Sequence, residues 1–157
     1  MADKTVSLDK KVPDFALPAT SGKTWKLSAA HGRHLVVYFY PRDNTTGCTQ
    51  EGIDFRDLHK DFKKAGAEIV GISRDSVRSH ENFAAKYKFT FPLLSDGDEA
   101  ACKAFDTIRE KSLYGRKYMG VDRSTFLFDK DGVLKQEWRS VKVKEHAAEV
   151  LAAVKAL

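Results

Sequence analysis

Leu35 to Tyr40 is an unbroken run of β-branched and aromatic residues that stops at Pro41. It has no polar face to turn towards water, so it reads as a strand covered on both sides, inside a sheet with helices above and below. Asp43, Asn44, Thr45, Thr46 and Gly47 then supply turn and N-cap chemistry, and Phe55, Leu58 and Phe62 recur at helical spacing. The spacing predicts a helix that begins close to Cys48, runs to Lys64 and stops at Gly66. Cys48 falls in its first turn.

The rest of the chain repeats the pattern. Glu68 to Ser73 is a second buried strand, and from Ser76 a helix shows Val77, His80, Phe83, Ala84 and Tyr87 on one face. Leu93-Leu94 gives a short strand and Asp98 to Phe105 a short helix, while Asp106 to Asp122 reads as a long loop. Ser124 to Phe128 and Val133 to Trp138 form a hairpin, and Ala147, Val150, Leu151 and Val154 stripe a C-terminal helix. Ahead of all this, Asp14–Leu17 and Thr24–Leu27 predict an N-terminal β-hairpin covering a sheet edge, and Ser28 caps a single turn ending at Gly32. These elements define an α/β fold with a central mixed β-sheet flanked by helices. Its 157 residues suit one domain, with residues 1–11 as a polar N-terminal extension.

Cysteine in a helix's first turn is placed for nucleophilic chemistry, because the free amides and dipole there favour thiolate over thiol. A free cysteine is roughly 3% ionised at pH 7, and ionising it almost fully needs ~3.4 kcal/mol. A helix end supplies at most ~2 kcal/mol, so a cation is expected nearby. Complete ionisation raises the thiolate fraction only about thirty-fold, so further groups must orient a substrate and bind charge on its leaving atom. Thr45, one turn earlier, can donate and accept a hydrogen bond.

Pro41-x-x-x-Thr45-x-x-Cys48 resembles the active-site signature of the peroxiredoxins, thiol peroxidases with a thioredoxin-like fold. The Tyr-Phe-Tyr-Pro run before it, Gly47-Cys48-Thr49, Gly71-Ile72-Ser73 with Asp75, Leu94-Ser95-Asp96 and Arg123-Ser124-Thr125-Phe126-Leu127 are similar to the bacterioferritin-comigratory, or Q-type, subfamily. The likeness runs from about Val12 to the C-terminus. It implies that Cys48, Thr45 and Arg123 act together on a hydroperoxide, that Pro41 shields the pocket, and that Gly47 and Glu51 line it. Arg123 is then the expected cation. The resemblance implies no cofactor, and a thioredoxin, glutaredoxin or small-thiol reductant.

Many members of that subfamily carry a resolving cysteine five residues after the reactive one or in the following helix; Ile53 and Ala84 stand there in this chain. Cys102 is a possible resolving residue, although its place beside Ala101 and Phe105 on an apolar helix face also suits a buried structural thiol. Recycling by an external thiol is the alternative. Glu51 reads equally as an exposed acid near a helix start.

Composition narrows the function. The formal charge of +5 comes from lysines and arginines interspersed among 22 acidic residues, which favours a solvated surface over a nucleic-acid footprint. No apolar run reaches membrane-spanning length, and Met1-Ala2-Asp3-Lys4 begins a polar N-terminus, so a cytoplasmic protein without a membrane partner is expected. The five histidines show no metal-ligand spacing with Cys48 or Cys102, so no metal site is expected. Two other thiol chemistries remain to be weighed against a peroxidase. A disulfide oxidoreductase normally uses Cys-x-x-Cys, but Glu51 takes the second position; a redox sensor would need only slow oxidation of Cys48. A monomer is expected.

Overall fold

The computed structural model describes residues 6–157. In chain order the strands are β1 (Ala16–Ala19), β2 (Lys23–Lys26), β3 (His34–Phe39), β4 (Ala67–Ser73), β5 (Leu93–Ser95), β6 (Ile108–Leu113), β7 (Arg116–Val121), β8 (Ser124–Phe128) and β9 (Leu134–Trp138). The α-helices are α1 (Thr46–Lys64), α2 (Val77–Tyr87), α3 (Ala100–Ala104) and α4 (His146–Lys155). Seven strands form one mixed sheet in the order β2-β1-β5-β4-β3-β8-β9. The β1–β2 hairpin extends its β5 edge, through a single antiparallel pairing of Ala19 with Leu94.

β3 sits where an all-apolar strand must, between parallel β4 and antiparallel β8. Its residues alternate between two cores. Leu35, Val37 and Phe39 pack with Ile72, Phe105 and Phe126 on one face, beside α3. Val36, Tyr38 and Tyr40 pack with Phe55, Phe83 and Val150 on the other, beneath α1, α2 and α4. The register also fixes the site: pairing Phe39 with Ser124 brings the start of β8 beside the end of β3. No helix among the described residues is long and apolar enough to cross a membrane.

Two expectations are corrected. The segment from Asp106 to Asp122 is not an irregular loop, because β6 and β7 pair along it as an antiparallel hairpin. Leu113, Tyr118 and Met119 are exposed and burial is confined to the end at Gly120 and Val121, so most of this ribbon has no buried face to impose apolar alternation. Its two-residue connection, Tyr114-Gly115, has positive φ at both positions (51° and 77°), a tight hairpin turn with tyrosine in place of the usual Asn or Asp. Ser28 does not cap its turn: the 3₁₀ turn Leu27–Ala30 starts after Lys26, and the Ser28 amide donates instead to Asp14 Oδ1 at 2.9 Å. The described part of the polar extension is docked on the domain. Val6 is buried, the Asp9 amide donates to the Leu134 carbonyl at 2.7 Å, and the Leu134 amide donates to the Lys10 carbonyl at 3.0 Å. Residues 1–5 lie outside the described residues.

Candidate active site

Hydrogen bonding of the Tyr40 amide to the Ile72 carbonyl carries the β3–β4 ladder one residue past the strand before Pro41 ends it. The chain reverses through Asn44 in the left-handed region, at φ 63°, which asparagine tolerates better than most residues. Thr45 is the N-cap of α1, and Cys48 is its third helical residue. No side chain caps this end and no acid stands in the first turn, so no side-chain acceptor competes with Cys48 for the free amides. Cys48 is only 2% exposed.

The expected cation is in place. Arg123 Nη2 lies 3.5 Å from Cys48 Sγ, and Nη1 donates to Glu51 Oε1 at 2.6 Å. Gly47 makes this approach possible, because a Cβ there would lie 3.0 Å from Nη2. The exposed-acid reading of Glu51 fails: its side chain is 1% exposed and paired with the guanidinium. Burial pushes the Glu51 carboxyl up to about 7, against the opposing pull of Arg123. Its second oxygen, Oε2, is buried without a hydrogen-bond partner. Tyr38, across the core, is pushed well above its ordinary range by burial and by the neighbouring Glu51 and Cys48, and stays neutral.

Thr45 is at the site but engaged locally. Its hydroxyl donates to the Arg42 carbonyl at 2.9 Å, which leaves the oxygen lone pairs to accept. Donating to the thiolate would require breaking that bond. Pro41 is half-buried at the turn ahead of it.

Cys102 is not brought to Cys48. The two thiols belong to the cores on opposite faces of the sheet, so β3 and its neighbours stand between them. Burial pushes the Cys102 thiol far above its ordinary range, and Asp96 adds to the shift.

Two features were not read from the sequence. Lys111, from the β6–β7 ribbon, donates to the Val121 carbonyl at 2.6 Å, two residues before Arg123. Asp43, Asp75 and His80 converge with their ligand atoms within 4.8 Å of one another. That cluster is a hydrogen-bond network. Asp43 accepts from the Tyr40 and Ser79 hydroxyls and faces His80 Nδ1, while Asp75 accepts from Ser73 and from the Asp43 amide. His80 Nε2 faces the Leu94 carbonyl at 2.9 Å; a carbonyl only accepts, so this nitrogen carries hydrogen. The network ties the turn before α1 to α2 and β5.

Residues 8–137 match the family model described as AhpC/TSA. The chain belongs to the AhpC/TSA family of peroxiredoxins. It is 53% identical over 156 residues to Peroxiredoxin Bcp of Xanthomonas campestris pv. campestris, covering 99% of this chain and 98% of that one. Peroxiredoxin Bcp of Bacillus subtilis is 46% identical, with 96% of each chain covered. A solved structure of the X. campestris bacterioferritin comigratory protein, described for its alkyl peroxide reduction activity, superposes with a TM-score of 0.88 at 50% identity, over 99% of this peroxiredoxin and 98% of that chain. The thioredoxin-like fold expected from the sequence is the fold of these relatives.

Proposed function

We propose that this thiol peroxidase reduces hydrogen peroxide and organic hydroperoxides at Cys48. The thiolate attacks the terminal oxygen, the O–O bond breaks, water or alcohol leaves, and Cys48 becomes sulfenic acid. The observation that carries this reading is the 3.5 Å approach of Arg123 Nη2 to Cys48 Sγ at an uncapped helix N-terminus. Arg123 both stabilises the thiolate and meets charge developing on the leaving oxygen; Thr45 accepts from the peroxide hydrogen; Pro41 and Gly47 shape the pocket.

Recycling is assigned to an external thiol of the thioredoxin, glutaredoxin or small-thiol class. Supporting this are the separation of Cys102 from Cys48 by the sheet and the presence of Ile53 and Ala84 where a resolving cysteine is usual. The enzyme acts as a monomer, one domain over 1–157, in the cytoplasm and in cell redox homeostasis, without a nucleic-acid or membrane partner. Its interspersed surface charge suits that setting. The test is hydroperoxide consumption driven by a dithiol: wild type and Cys102→Ser turn over, and Cys48→Ser does not. Turnover by Cys48→Ser would refute the assignment.

A further inference from the structure

Arg123 serves two anions with two separate nitrogens. Nη1 holds Glu51 Oε1 and Nη2 faces Cys48 Sγ. With both groups ionised, this buried site would contain two negative charges and one positive. The surrounding charges do not remove the conflict. From β6, Lys111 brings a positive charge, but it is engaged with the Val121 carbonyl and faced by Asp122. From α4, His146 is pushed down to about 4 by burial and by Arg123, so it adds no cation at neutral pH. From β3, Tyr38 stays neutral. From α1, Asp54 pushes the Glu51 carboxyl further up, and Asp122 beside Arg123 is a further acid. Glu51 Oε2 has neither water access nor a donor, so an anion there leaves an acceptor unpaired. Protonating Glu51 resolves both problems at once.

We propose that Glu51 is the proton reservoir of the reaction: it takes up a proton when Cys48 ionises and gives it up when the thiolate is consumed, so that Arg123 passes from one anion to the other. The inference rests on the peroxidase reading above. In the balanced step, Cys48 thiolate, hydroperoxide and Glu51 carboxylic acid give Cys48 sulfenic acid, alcohol or water, and Glu51 carboxylate. The S–O bond forms as the O–O bond breaks, sulfur loses two electrons to the peroxide, and the leaving oxygen takes a proton from solvent while Glu51 returns one to it, so that solvent shows no net proton change for each Glu51 that started protonated. The sulfenic acid keeps the hydrogen of the attacked hydroxyl. Glu51 acts through Arg123 without touching sulfur, so it is a positioning residue. Its carboxyl, near 7, is poised to hold or release that proton at neutral pH.

The test counts protons. Wild type and Glu51→Gln are oxidised with one equivalent of hydrogen peroxide in weak buffer containing an indicator dye, and ultraviolet absorbance gives the thiolate consumed. Glu51→Gln should take one proton from solvent per thiolate, because nothing in its site supplies it. Wild type should take clearly less, about half near pH 7 for a carboxyl of that affinity. One proton per thiolate in both proteins overturns the proposal. Two further readouts cover a variant that folds poorly and separate this idea from the peroxidase reading. Infrared difference spectra of wild type should lose a protonated-carboxyl band on oxidation, and its absence also overturns the proposal. Alkylation of fully ionised Cys48 by iodoacetamide needs neither peroxide nor a proton, yet wild type should release a fraction of a proton and Glu51→Gln none. If alkylation behaves this way while peroxide leaves Cys48 untouched, the peroxidase reading fails and the charge coupling stands; if alkylation releases no proton, the coupling fails.

Discussion

Replacing Arg123 with alanine removes the only cation found in contact with Cys48 Sγ among the described residues. At 3.5 Å, two unit charges in an effective dielectric of about 20 attract by about 4.7 kcal/mol, an upper bound. Part of that attraction is already spent on Glu51, which Arg123 holds at 2.6 Å and which takes a proton once the guanidinium is gone. The thiolate loses the share of that attraction that Glu51 does not take up, so ionisation of Cys48 should fall in the variant. Thiolate population is only the first effect. Losing a donor aimed at the leaving oxygen costs ~10²–10³ in rate, so the second-order rate constant with hydrogen peroxide should fall by more than ~10² at neutral pH. Rapid-mixing kinetics across pH separates the two contributions. Raising the pH restores the thiolate but not the missing donor, so the high-pH plateau of Arg123→Ala must stay about 10² or more below that of wild type. A plateau equal to wild type would refute the substrate-contact role and leave Arg123 as a charge partner only. Arg123→Lys keeps the charge and loses the planar fork, so it should recover ionisation better than rate.

Other substitutions address the remaining groups. Thr45→Val deletes the hydroxyl and keeps the β-branched shape; turnover should drop at least tenfold with unchanged thermal unfolding, while Thr45→Ser keeps most activity, and a valine variant as fast as wild type would assign Thr45 to the turn alone. Cys102→Ser should retain peroxide turnover yet lose about 1–2 kcal/mol in urea unfolding, because a hydroxyl replaces a thiol in an apolar core; turnover lost together with a Cys48–Cys102 disulfide in wild type would make Cys102 the resolver. His146 is held neutral, so the unfolded chain binds its proton first: its contribution to stability is present above pH 6.5 and is lost as pH falls towards 4, by up to about 1.4 kcal/mol per pH unit. Glu51 has the opposite slope, since its raised carboxyl favours the fold below 4.5 and loses that contribution as pH rises through about 7. The difference between wild type and His146→Gln in urea midpoints at pH 7 and pH 5 isolates the histidine, and identical midpoint changes in both proteins would contradict its assignment.

The sheet was legible because its strands are buried on both faces: Leu35–Tyr40 and Glu68–Ser73 contain almost no residue that could face water, and each ends in turn chemistry. The β6–β7 ribbon was not, because Arg109 to Tyr118 cover no core and their side chains therefore follow no burial period. At the site, Cys48, Thr45 and Pro41 are close in sequence and their spacing announces them. Arg123 was named through the family resemblance, and the register supplies the physical reason, because antiparallel β8 starts where β3 ends. Glu51 was ambiguous for a physical reason. A helical acid two turns into α1 is exposed in most proteins, and only the arrival of Arg123 from 72 residues away explains why it is buried. The network of Tyr40, Asp43 and His80 spans 40 residues and left no local signal, since each member alone reads as an ordinary core or turn residue.

The central claim is that Cys48 is the nucleophile that attacks peroxide, and its oxidation in a single turnover tests this most directly. Reduced protein is mixed with one equivalent of hydrogen peroxide, quenched at successive times, and the modified residue is read by mass spectrometry. The account predicts sulfenic acid on Cys48 alone, formed far faster than a free thiol reacts and equally fast in Cys102→Ser. Oxidation of Cys48 at the rate of an ordinary thiol, or first on Cys102, would contradict it.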